Sequence, residues 1–187
     1  MAKVHNNIFV RGLTGAVGDQ FVIRRTKSGR TIIANKPIFD ENREFSDGQK
    51  AQQEAFRQAT VYAKVARTQP VYVERANGTD LTPYNMAMAD WFGQPEVLEL
   101  NASGWTGQSG QTVQIRAQDD TLVTRVQVVI HNNGTVLEQG EAVRSEVDGL
   151  LWTYTTTSDV PTSPAPLLDA NAYDMAGNFG AMSYQLN

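Results

Sequence analysis

From Glu96 onward the apolar residues fall in short runs that alternate with period two. A half-buried strand has this pattern, because successive side chains point to opposite faces of a sheet. In Thr112–Ala117, Val113, Ile115 and Ala117 share one face and Thr112, Gln114 and Arg116 the other. Strand patterns recur at Val123–Ile130, Leu150–Thr155, Leu167–Tyr173 and Gly180–Leu186, with turn residues between them at Asp119-Asp120 and Asn132-Asn133-Gly134. About seven short strands in roughly ninety residues predict a β-sandwich. Val126 and Trp152 are expected in its core.

The first half reads differently. Ile8-Phe9-Val10 precedes Gly12, Gly15 and Gly18, whose spacing suggests tight turns or bulges. It fits neither a dinucleotide fingerprint nor a phosphate loop. Gln20–Arg25 and Thr31–Ala34 flank Ser28-Gly29 as a hairpin, and Pro37 ends the second strand. Ser46 and Gln49 have capping-box spacing at the start of a helix expected over 47–67. Ala55, Phe56, Ala59, Tyr62, Ala63 and Ala66 form its apolar stripe. Burying Phe56 or Tyr62 is worth roughly 1.5–3 kcal/mol each, so both are expected to pack against a sheet or a neighbouring chain. Gln69-Pro70 breaks this helix. A second helix follows from Pro83 to Phe92, with Thr82 as N-cap and Gly93 as stop. The expected organisation is an α+β domain over 1–94 and an all-β sandwich over 95–187, joined at Gln94-Pro95.

Charge divides along the same line. Residues 1–75 carry 13 Lys and Arg against 7 Asp and Glu, a balance of +6, whereas residues 76–187 carry 3 against 13, a balance of −10. Such a split suits head-to-tail contact between identical subunits, or nucleic acid at the basic end. Arg24, Arg25, Lys27 and Arg30 concentrate the positive charge on the hairpin. Only Phe21 stands nearby, so base stacking is poorly supported and intersubunit contact is the favoured role.

Little in the composition suggests catalysis. Cysteine is absent, which removes disulfides, thiolate nucleophiles and Cys-ligated zinc. His5 and His131 have no partners at ligand spacing. Asp119, Asp120, Asp169 and Asp174 could gather around calcium, but no Asp-x-Asp-x-Asp-Gly loop occurs and Asp commonly caps turns. Neither metal nor cofactor is therefore expected. Apolar runs such as Val128-Val129-Ile130 are far shorter than a membrane span, and the first residues lack signal-peptide features.

Two resemblances add to this reading. Gly12-Leu13-Thr14-Gly15-Ala16-Val17-Gly18-Asp19, the basic hairpin ending at Pro37, the Gln-rich helix and the Pro83-Tyr84-Asn85 helix resemble uncharacterised small proteins of bacteroidete genomes and their phages. Val113-x-Ile115-x-Ala117-x-Asp119, Val123-x-x-Val126-x-Val128, Trp152-x-Tyr154 and Ala172-Tyr173-Asp174-Met175-Ala176-Gly177-Asn178 resemble bacterial immunoglobulin-like domains. Together they imply a non-enzymatic structural subunit of a phage or phage-like particle. It would assemble in the host cytoplasm through residues 1–94, on itself and on other particle proteins, and expose an Ig-like domain to host surfaces or glycans. The interface candidates are Arg24, Arg25, Lys27, Arg30, Phe56 and Tyr62. The alternatives are a cytoplasmic nucleic-acid-binding protein using the hairpin and a surface carbohydrate-binding module.

Overall fold

Twelve strands and three helices make up the computed structural model, which describes residues 2–4, 12–38 and 42–186. His5 and the Ile8-Phe9-Val10 run lie outside the described residues.

The first sheet has the order β1-β4-β3-β2, all antiparallel, with β1 at Ala2–Val4, β2 at Gly15–Val17, β3 at Phe21–Arg25 and β4 at Thr31–Asn35. Hairpin β3–β4 closes at Gly29, whose φ of +84° is open to glycine at no steric cost. The glycine-rich stretch is more regular than expected, since β2 pairs with β3 from Gly15 to Val17.

Helix α1 (Asp47–Ala66) starts at the expected capping box: Ser46 Oγ accepts from the Gln49 amide, and the Ser46 amide donates to Gln49 Oε1 at 3.1 Å. Its buried positions are Ala59, Ala63 and Ala66. After Gln69 the chain re-enters a helix that the break at Pro70 had concealed, α2 (Pro70–Ala76), with Pro70 in its first turn. Proline interrupts a helix it follows but suits one it begins, because the first turn needs no amide donor. α3 (Pro83–Phe92) is capped by Thr82, whose hydroxyl accepts from the Asn85 amide, and ends at Gly93. Ala59, Ala63, Ala66, Tyr72, Ala87 and Met88 form the core shared by the three helices.

The remaining strands build a β-sandwich. One sheet runs β5-β6-β10-β9 (Glu96–Asn101, Thr112–Gln118, Leu151–Thr155, Val143–Arg144). The other runs β12-β11-β7-β8 (Phe179–Gln185, Leu167–Tyr173, Arg125–Asn132, Thr135–Glu141). The expected alternation appears on β6, where Val113, Ile115 and Ala117 are buried between exposed or half-exposed neighbours. Val126, Val128, Ile130, Leu168, Ala170, Trp105, Trp152 and Tyr154 fill the space between the sheets. Asn133 and Gly134 turn β7 into β8 with φ of 46° and 82°, the pair of positive values that a tight hairpin demands.

Gln94-Pro95 is not an open linker. Pro95 is buried, and its carbonyl sits so close to Gly180 of β12 that any Cβ there would overlap it. Asn178 Nδ2 donates to the Asp90 and Trp91 carbonyls at the end of α3, at 3.4 and 3.3 Å, and Met175 packs on the helical core. Among the described residues, no helix is long and apolar enough to cross a membrane.

Candidate assembly surface

The apolar stripe of α1 outruns its partner. α3 packs along α1 but has ten residues against twenty, and at 1.5 Å per residue it covers roughly half the length. Ala59, Ala63 and Ala66 lie under cover. Phe56, one turn earlier on the same face, is 56% exposed. Of the two surfaces expected for Phe56, a sheet or a neighbouring chain, no sheet of the described residues buries it. With Phe45, Gln49, Gln52, Gln53 and Arg43 it lines an open hollow, and the Arg43 guanidinium lies 5.2 Å from the centre of the Phe45 ring. On the opposite side of α1, Val61 and Val65 are 63% and 74% exposed. Four residues apart, they form a second apolar strip.

Tyr62 faces the other way. Its ring is 5.3 Å from that of Trp91, and its hydroxyl shares a 2.6 Å hydrogen bond with that of Tyr72. The Tyr72 hydroxyl in turn donates to Asp90 Oδ2 at 2.6 Å. Tyr62 is thus half-buried in the helical core, with a shallow groove beside it formed with Gln58, Val61 and Trp91. Burial raises both tyrosine hydroxyls above their ordinary value. Burial likewise raises the Asp90 carboxyl; the Tyr72 and Thr121 hydroxyls oppose this and the charges of Asp174 and Asp119 add to it.

The basic hairpin divides into two pairs. Arg30 forms an ion pair with Asp80, and Lys27 Nζ lies 3.5 Å from the Ala76 and Leu81 carbonyls. These two side chains hold the β3–β4 turn against the loop between α2 and α3. Arg24 and Arg25 are exposed and form no ion pair among the described residues. All four cations lie on the surface, two of them tied to the α2–α3 loop and two without an ion pair among the described residues.

Carboxylates of the sandwich half also sort themselves. Asp169 accepts from Ser183 and lies 2.8 Å from His131 Nε2, so His131 has a partner that the sequence did not suggest. Asp174 accepts from the Asn178 amide and side chain, both at 2.7 Å, closing the turn between β11 and β12. Both are turn- or strand-stabilising groups. Two buried acids escaped the sequence reading. Asp90 is 1% exposed on α3, and Glu138 is buried on β8 beneath four donors. A signal for Asp90 exists in retrospect: it is a charge set among Ala87, Met88, Ala89, Trp91 and Phe92.

No family model and no curated protein matches the chain. Among solved structures it is similar to CopC from Methylosinus trichosporium OB3b, at 10% identity over 49% of this chain and 89% of that one, with a TM-score of 0.34. It is also similar to an engineered protein, at 16% identity over 55% of this chain and 26% of that one, with a TM-score of 0.33. Neither likeness bears on function.

Proposed function

We propose that this chain is a non-enzymatic structural subunit of a phage or phage-like particle, which associates with further copies of itself through its helical half. The observation that carries the reading is the uncovered end of the α1 stripe, where Phe45 and Phe56 stand exposed in a hollow rimmed by Arg43. An amphipathic helix that extends past its partner leaves apolar area that a second chain can bury. A second copy is favoured over an unrelated partner by the charge division, because the basic half of one subunit complements the acidic half of another. In this reading residues 1–94 make the assembly unit, and residues 95–187 form an Ig-like unit that faces outward.

The nucleic-acid alternative draws less support. With Lys27 and Arg30 turned to the α2–α3 loop, Arg24 and Arg25 remain as phosphate contacts on the hairpin, a small footprint for binding dominated by counterion release. Negative-stain electron microscopy of the concentrated protein tests the proposal. Rings, tubes or other regular multimers are expected, and a field of single small particles at every concentration would refute it.

A further inference from the structure

Three carboxylates converge where α3 meets the turn after β6. One oxygen from each of Asp90, Asp119 and Asp120 lies within 4.8 Å of the other two. These residues are buried, half-buried and exposed in that order, so the cluster opens from the interior to the surface. No Lys or Arg forms an ion pair with any of them among the described residues. Acidic groups in turns often cluster without a ligand, so proximity alone decides nothing.

The second observation is Asp90 itself. It is 1% exposed; Oδ2 receives the Tyr72 hydroxyl, the Thr121 hydroxyl stands near the carboxyl, and no donor reaches Oδ1 with good hydrogen-bond geometry. A buried carboxylate oxygen left unsatisfied is costly, and buried charge is ordinarily paired or metal-bound. Asp119 is already oriented: its Oδ2 accepts from the Thr121 and Leu122 amides at 2.9 and 2.8 Å. Gly93 borders the cluster, and a Cβ there would lie 3.2 Å from Asp120 Oδ1. The missing side chain leaves the Asp120 carboxylate its place beside α3.

We propose that Asp90, Asp119 and Asp120 bind a calcium ion that clamps α3 to the β6–β7 turn. The donor set is all oxygen and carries three formal negative charges, which suits a hard divalent cation. Calcium takes its ligands at about 2.3–2.6 Å, so opposite ligands stand roughly 4.6–5.2 Å apart, a span that admits the present spacing. Magnesium demands a near-ideal octahedron and gives up its water reluctantly, so three carboxylates brought together from a helix and a turn suit the more flexible coordination of calcium. The ion would give the buried Asp90 carboxylate a counter-charge and neutralise repulsion among neighbouring acids. Water and main-chain carbonyls would complete its coordination. This site is independent of the assembly role.

Calorimetric titration of the chelator-treated full chain with calcium chloride, paired with thermal unfolding, tests the proposal. Wild type is expected to bind with measurable heat, and its Tm to rise by about 5–10 °C at a calcium concentration one hundred times Kd. Asp120→Asn alters an exposed side chain without a hydrogen-bond partner among the described residues and removes one charge from the cluster, so the metal-free variant should fold with a Tm at or slightly above that of wild type. Its calcium affinity should fall at least about tenfold, the loss of roughly 1.4 kcal/mol. Absence of heat and of any Tm shift in wild type at about 10 mM calcium, well above the weakest known protein sites, would overturn the assignment. So would undiminished binding in Asp120→Asn, which would place the ion elsewhere. A larger response to magnesium than to calcium would overturn the choice of metal.

Discussion

Tyr154 donates its hydroxyl to Glu138 at 2.7 Å inside the sandwich, bridging β10 of one sheet to β8 of the other. Glu138 also accepts from the Thr157 amide and from the Thr157 and Ser158 hydroxyls. Burial works to raise its carboxyl, but these four donors outweigh burial and hold it below the ordinary 4.5. The folded state therefore favours the ionised acid. Its contribution to stability is complete above the unfolded value near 4.5 and is lost as pH falls through the lower folded value. Glu138→Gln should cost about 1.5–3 kcal/mol at pH 7 in denaturant titrations. The gap between wild type and variant should narrow below pH 4.5. A gap that widens on acidification would show that Glu138 is not held as the anion.

Trp152 is 5% exposed and sits with Trp105, Val113 and Ile115 in the sandwich core. Trp152→Ala should destabilise the protein by about 3–5 kcal/mol, the sum of lost transfer energy and the cavity left behind. Its buried indole nitrogen has no hydrogen-bond partner, so Trp152→Phe should cost far less than the alanine change. Urea midpoints of the two variants check this ordering.

At Gly180, an added Cβ would lie within bonding range of the Pro95 carbonyl. The neighbouring atoms are backbone and cannot rotate away, so Gly180→Ala must displace the entry to β5 from β12. A loss of at least about 1–3 kcal/mol is expected, as for overpacked cores. Gly104→Ala, where no atom lies within 4 Å, is the control and should change stability by less than about 0.5 kcal/mol. Thermal unfolding of both variants gives the comparison.

Much of this fold could be read from the chain, for reasons that differ by element. The strands of the sandwich announce themselves because each buries one face, so Val113, Ile115 and Ala117 write period two directly into the sequence. Helices α1 and α3 were legible through their caps at Ser46 and Thr82, which are local chemistry. Helix α2 was hidden because Pro70 carries opposite meanings before and after a helix start. Phe56 and Tyr62 share the apolar side of α1, yet only Tyr62 is packed, since the length of α3 and not the stripe sets how much is covered. The pairing of Arg30 with Asp80 spans 50 positions and depends on tertiary contact. Asp90 joins Asp119 and Asp120 for the same reason: the fold, not the spacing, brings residues from separate elements together.

Lys27 and Arg30 should behave as tethers of the hairpin, and Arg24 and Arg25 as surface residues that tether nothing. Arg30→Ser, combined with Lys27→Ser, should loosen the hairpin from the α2–α3 loop and raise amide exchange at residues 21–35. Exposed pairs such as Arg30–Asp80 are worth little, so the total cost should stay near about 1 kcal/mol. Arg24→Ser with Arg25→Ser should leave exchange unchanged. Equal exchange in both double variants would contradict the division.

Sedimentation velocity of wild type beside a Phe45→Ser/Phe56→Ser variant tests the assembly role most directly. Both rings are exposed in the single chain, so the variant should retain the wild-type far-UV circular dichroism and Tm. Wild type is expected to sediment as a concentration-dependent multimer, and the variant as the 20.6 kDa monomer. Added salt should weaken the wild-type multimer, because contacts between the basic and acidic halves are screened over about 8–10 Å near physiological ionic strength. A wild type that remains monomeric at every concentration, or a variant that assembles as well as wild type, would contradict self-association through the uncovered end of α1.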